Sequence, residues 1–175
     1  MKAFLAVLLL ASPMFAASAE TQPLGAPGCG AADAKFEVKT DKSQHPLATP
    51  DAGKAQVVFI EDDSEFGSRP FPTTRFGVDG SWVGATHGNS YLEFSVDPGE
   101  HHLCASWQTA VIVTQGHKSA AAHFTAAAGE SYYFAVKNKW TRDLGTAVIS
   151  LTPLDSDEGQ LLAAKFALSA SQLKK

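Results

Sequence analysis

The chain is predicted to be all-β, an antiparallel β-sandwich followed by a short C-terminal helix, and three observations lead there. Segments of alternating apolar and polar residues recur about every 10 to 15 residues, separated by Asp79-Gly80, Asp97-Pro98-Gly99 and Gly129, which are turn signals. Charged residues make up only 18% while Gly, Ala, Ser and Thr are plentiful, a composition that suits an exported β-domain better than a helical bundle. A helical period sets in only after Asp155.

Residues 1–19 read as a secretory signal peptide, with Lys2 as the basic start, Ala3 to Leu10 as the apolar run and Ala17-Ser18-Ala19 as the cleavage site. The run is broken by Ser12 and Pro13 and falls short of the roughly 20 apolar residues a spanning helix needs, so no membrane span is expected after cleavage. Removing residues 1–19 from the 175 leaves 156, enough for one domain with a substantial core. Lys2 leaves with them, so the formal charge of −4 becomes −5. With no basic cluster there is no electrostatic footprint for nucleic acid or an anionic membrane surface. The expected location is the periplasm or the cell exterior.

Residues 20–34, rich in Pro, Gly and small residues, form an N-terminal leader without periodicity. Lipidation at Cys29 is disfavoured, because Ala26 stands where leucine is usual and the cysteine lies well beyond the apolar run. Residues 35–155 carry the β-sandwich. Lys35 to Lys39 alternates as a short strand, and Ala55 to Ile60 is a continuous apolar run that predicts a central strand buried on both faces. The acidic group Glu61-Asp62-Asp63 is expected to end it as a solvated loop. Thr74 to Val78 and Ser81 to Ala85 flank Asp79-Gly80, the pair favoured in a type I′ turn, and predict a hairpin.

Ser90 to Trp107 predicts a second hairpin around Asp97-Pro98-Gly99, with Leu92, Phe94 and Val96 before the turn and Leu103, Ala105 and Trp107 after it on the buried side. Cys104 falls on the opposite, polar face. Cys29 and Cys104 are the two cysteines of the chain, and in an oxidising compartment such a pair is expected to form a disulfide. That bond would lay the leader across the outside of the sheet. Further strands are predicted at Ala120 to Ala126, at Glu130 to Lys137 with Tyr132, Phe134 and Val136 on one face, and at Ala147 to Thr152, stopped by Pro153. Residues 156–175 are expected to form a short helix capped by Ser156, with Asp157 and Glu158 in its first turn, and then a frayed tail.

The segments VFIEDD, TRFGVDGSWVGA, YLEFSVDPGEHHLCASW, AHFTAAAGESYYFAVK and LTPLDSDEG resemble an uncharacterised family of exported bacterial proteins, the domain of unknown function 2846 group. The likeness covers roughly Lys35 to Gly159. It implies a small β-sandwich of the prealbumin-like or carboxypeptidase-regulatory type and brings no catalytic residues; an Ig-like arrangement is the other sandwich that the strand spacing fits.

Six histidines, His45, His87, His101, His102, His117 and His123, raise a metal hypothesis, since His102 and Cys104 alternate onto one strand face and zinc accepts both ligand types. Against it, Cys104 already has a partner in Cys29 and no further ligand is identifiable, so no metal and no cofactor are expected. Catalysis finds no support either: there is no G-x-S-x-G elbow and no glycine-rich phosphate loop. Glu61, Asp62, Asp63 and Glu65 could supply calcium ligands or a carboxylate pair, but a solvated loop is the simpler account. The chain is therefore expected to be a non-enzymatic module with a binding or structural role. The alternative is a carbohydrate- or peptide-binding domain using exposed aromatics, with Trp82 and Trp140 as candidates and Trp107 in the core. The polar segment Glu61 to Thr73 is expected to present Phe66 and Phe71 to an envelope protein or glycan.

Overall fold

The computed structural model describes residues 28–43, 46–67, 69–108, 115–141 and 146–175. Among them are eleven strands and one helix: β1 (Phe36–Asp41), β2 (Ala55–Asp62), β3 (Thr73–Val78), β4 (Ser81–His87), β5 (Ser90–Val96), β6 (Gly99–Trp107), β7 (Gln115–His117), β8 (Ser119–Ala126), β9 (Ser131–Thr141), β10 (Thr146–Leu154), α1 (Ser156–Lys165) and β11 (Ala167–Leu173). The strands form a seven-stranded sheet in the order β1-β11-β5-β2-β9-β10-β7 and a four-stranded sheet in the order β4-β3-β6-β8. The chain is thus mostly β, with two sheets and one short helix, and no helix of the described residues is long and apolar enough to cross a membrane.

β2 is the middle strand of the larger sheet, as its unbroken apolar run predicts. Val57 and Phe59 point into the core shared by the two sheets, while Val58 and Ile60 point the other way into a second cluster with Tyr91, Tyr133 and Ala163 of α1. The Phe59 ring stacks on Phe76 of the smaller sheet at 4.4 Å and on Phe94 at 5.5 Å. Each large apolar side chain buried this way contributes on the order of 1.5–3 kcal/mol.

The hairpin at Asp79-Gly80 forms as expected, with β3 and β4 antiparallel and both turn residues at positive φ, 49° and 82°. Ser90 to Trp107 is not a hairpin. β5 pairs with β2 and β11 in the larger sheet, whereas β6 pairs with β3 and β8 in the smaller one, so the Asp97-Pro98 turn carries the chain from sheet to sheet. Leu92, Val96, Leu103, Ala105 and Trp107 are buried as the alternation predicts, but they line opposite walls of the core. Period-two alternation reports which side of a strand is buried and is silent about its neighbour.

The larger sheet is mixed where an antiparallel one is expected: β2 with β9, β5 with β11 and β7 with β10 run parallel. Strands that enter a sheet after an excursion through the other sheet or through a helix need not reverse direction. β10 continues through Pro153, expected to stop it, because β7 reaches only Thr146 to Val148 and β10 beyond that has β9 on one side alone. Asp155, not Ser156, caps α1, its side chain accepting a 2.9 Å bond from the Glu158 N–H.

The C-terminal tail is likewise not frayed. β11 inserts between β1 and β5, antiparallel to the first and parallel to the second. Its residues are small, polar and half-exposed, so the side chains give no strong alternation. Its place is set by two flanking strands whose backbone groups need partners.

Cys29 and Cys104 are joined by a disulfide. It pins residues 28–34 across the outer face of the smaller sheet, as the position of Cys104 predicts. A Cβ on Gly28 would stand 2.6 Å from the His102 carbonyl oxygen, so this contact demands glycine. Arg75 donates to the Ala32 and Ala34 carbonyls at 3.0 and 2.6 Å and fastens the segment further along.

Candidate functional site

The most unusual chemistry in the molecule lies between the sheets, at the end of β2. Val57, Phe59, Glu61 and Asp63 share one face of the chain by the period of two, so the apolar row that fills the core ends in two carboxyl groups inside it. Glu61 is 0% and Asp63 1% exposed. The same extension occurs on β9, where Tyr132, Phe134 and Val136 are followed by Asn138, fully buried. Facing them is a row across the smaller sheet, Thr86, Thr74 and Trp107, which are register partners on β4, β3 and β6.

These groups pair closely. Asn138 accepts a 2.7 Å bond from the Trp107 indole N–H and gives its amide hydrogens to Glu61 at 2.7 Å and Asp63 at 2.6 Å. Thr74 donates to the same Glu61 oxygen, and Thr86 donates to the other at 2.5 Å. Glu61 is therefore held by donors from both sheets. Asp63 accepts from Asn138 through Oδ1, its backbone N–H donates to Asn89 at 2.8 Å, and its Oδ2 is buried without a partner.

Burial pushes Glu61 well above the usual carboxylate range, and the neighbouring Asp63 charge adds to this against the donors from Thr74, Thr86 and Asn138. Burial likewise raises Asp63 to about 7, opposed by the Asn138 bond and assisted by Asp62. The two acids titrate as a pair. A cleft lies over Asp63, walled by Phe66, Phe71, Asn89 and Arg69, whose guanidinium sits 4.3 Å above the Phe71 ring.

No protein-family model, curated protein or solved structure matches the chain.

Glu61 and Asp63 are not the solvated loop expected of them. The signal was present in the sequence: β2, β3, β6 and β9 all continue their inward rows into polar or amphipathic residues at the same end. The aromatic candidates are redistributed. Phe66 is 6% exposed and belongs to the core, with Trp107 at 6.0 Å, Trp140 at 5.9 Å and the half-buried Phe71 at 6.4 Å. The exposure expected for this pair is thus corrected, because the chain folds the loop back onto the open end of the core. Trp140 continues the inward row of β9 and is half-buried, its Nε1 buried without a partner.

Trp82 lies on the outer face of the smaller sheet, but the strap covers it: its Nε1 donates to Ala31 at 2.7 Å and the Arg75 guanidinium stacks 4.4 Å above its ring. Trp82 and Trp140 therefore serve different sheets and form no common platform. Among the histidines, His45 lies outside the described residues. His101 is inward, with Nδ1 2.6 Å from Asp79 and Nε2 2.7 Å from the Asp97 carbonyl. Burial opposes its charge, but these two acceptors outweigh it and raise its pKa. Among the described residues no group of three or more His, Cys, Asp and Glu side chains is already set to hold a metal ion.

Proposed function

We propose that this chain is an exported, non-enzymatic β-sandwich module, prealbumin-like or Ig-like in type, with a binding or structural role in the bacterial envelope or outside the cell. The observation that carries this reading is how the most perturbed acid is used. Both oxygens of Glu61 are taken by Thr74, Thr86 and Asn138, so the group that would otherwise suggest acid–base chemistry braces one sheet against the other. The Cys29–Cys104 disulfide supports work in an oxidising compartment. The signal-like residues 1–19 and the resemblance to the domain of unknown function 2846 group belong to the same proposal. Cell fractionation after in vivo cross-linking tests it. The expected result is oxidised protein in the periplasm or medium, joined to an envelope protein or glycan; cytosolic protein with free thiols would overturn it.

A second reading, a carbohydrate- or peptide-binding domain, is favoured by the cleft over Asp63. There Phe71 offers a ring face, Arg69 and Asn89 offer polar edges, and Asp63 lies buried beneath them. In this reading the cleft replaces Trp82 and Trp140. Titration with soluble peptidoglycan fragments would shift the amide resonances of Asp63, Ser64, Phe66, Gly67, Arg69, Phe71 and Asn89, and Phe71→Ala would abolish those shifts. Shifts unaffected by Phe71→Ala would remove the cleft from consideration.

A further inference from the structure

The outer face of the smaller sheet carries a pair of histidines whose side chains take no part in the buried Glu61–Asn138 network or in the contacts of residues 28–34. His102 on β6 and His123 on β8 are direct register partners. The His102 N–H donates to the Asp79 carboxylate at 2.8 Å and its carbonyl accepts from the Asp79 N–H at 2.9 Å, so both backbone groups of His102 point toward β3. Opposite β8 it therefore occupies a non-hydrogen-bonded position, where facing residues approach to about 4.5 Å between Cα atoms and their side chains lie closest. Both side chains are exposed, and their ring centres are 6.4 Å apart. Glu100, two residues before His102 and on the same face, places a carboxylate oxygen 4.0 Å from His102 Nε2.

We propose that His102, His123 and Glu100 form a surface site for a divalent transition-metal ion of the zinc class. Two neutral imidazoles and one carboxylate are a ligand set zinc accepts, with a further position left for water. Ligation at about 2.0–2.1 Å per nitrogen brings two ring centres to roughly 5 Å, so the pair closes by a rotation of exposed side chains on a backbone that is already in place. Ala121, the register partner of Cys104, adjoins the pair on one side and Thr125, the partner of Glu100, on the other, and neither is bulky enough to block that rotation. Coordination involves only lone-pair donation, so no oxidant or reductant is required. β6, which carries His102, also carries Cys104, so the disulfide to Cys29 holds the strand on which one of the two histidines stands.

Isothermal titration of the mature, disulfide-bonded protein with zinc chloride tests the site, with imidazole resonances followed by NMR in parallel. Saturable one-to-one binding is expected, with the His102 and His123 signals moving at the same stoichiometry. His102→Ala and His123→Ala should each weaken binding at least about tenfold, the scale on which perturbing a metal site is felt. Both positions are exposed, and unchanged thermal melting of the variants establishes that the fold is kept. His87→Ala, on the far edge strand, should bind as the parent does. No saturable binding by the parent, or binding retained in both His102→Ala and His123→Ala, would overturn the site; full affinity in Glu100→Gln would overturn the role of Glu100.

Discussion

Asn138 joins three members of the buried polar network, since its amide satisfies Trp107, Glu61 and Asp63 together. Asn138→Ala would leave the buried Trp107 indole N–H and Asp63 Oδ1 without partners, at about 1–3 kcal/mol for each unsatisfied group, and would take one of two donors from a Glu61 oxygen that Thr74 still serves. A loss of about 3 kcal/mol or more is expected, read as a lower urea midpoint at unchanged slope. Asp63 makes a separate prediction about pH. Its folded value is about 7 against an unfolded carboxyl near 4, so between those limits the folded state binds the extra proton. Its contribution to stability is complete below about pH 4 and is lost as pH rises through about 7. Glu61 and His101, both raised, act in the same direction, while Asp79, lowered by the His102 N–H and His101 in spite of burial, loses its contribution as pH falls. Asp63→Asn should therefore flatten the decline in denaturation midpoint between about pH 5 and 8 and raise the midpoint at the alkaline end. Parallel profiles for the two proteins would contradict this. The inward rows that end in these residues were legible by period, but their mutual pairing was not, because Glu61 and Asn138 are 77 residues apart.

Two elements invite direct tests. Gly159 weakens α1 by propensity, and the structure supplies the reason it is there: a Cβ would stand 2.2 Å from the Tyr133 ring, where helix and sheet pack. Gly159→Ala gains about 1 kcal/mol of helix propensity and meets an overpacking cost of about 1–3 kcal/mol, so a net loss of stability is expected in thermal melting. For β11, ending the chain after Phe166 removes the strand between β1 and β5 and exposes the backbone of both. A fall in melting temperature of about 5 °C or more is expected, together with faster amide exchange in β1 than in β2. An unchanged melting temperature would show that β11 contributes no stability. β2 and the β3–β4 hairpin were readable because both rest on local chemistry, an apolar run and an Asp-Gly turn. β11 was not, since its small and polar residues show no strong alternation and it is placed by backbone pairing with β1 and β5.

At the scale of the molecule the disulfide closes a separation of 75 residues and ties the strap to the smaller sheet. In the chain-entropy model such a loop contributes about 4 to 5 kcal/mol. Reduction, or Cys29→Ser, is expected to lower the melting temperature and to release the strap, so that the Trp82 indole resonance moves as its bond to Ala31 is lost. A melting temperature indifferent to reductant would contradict the first, and a fixed Trp82 resonance the second.

The amino-acid sequence alone determined the class, most strand positions, the buried side of β5 and β6, the type I′ turn and the Cys29–Cys104 pair. These follow from local backbone preference, from period-two alternation and from counting thiols. Only the tertiary structure decided that Asp97-Pro98 joins two sheets, that the larger sheet is mixed, that the tail completes it, that Glu61 and Asp63 pair with Asn138, and that Phe66 is interior. Each of those depends on which distant segment lies alongside, and alternation carries no information about the identity of a neighbour.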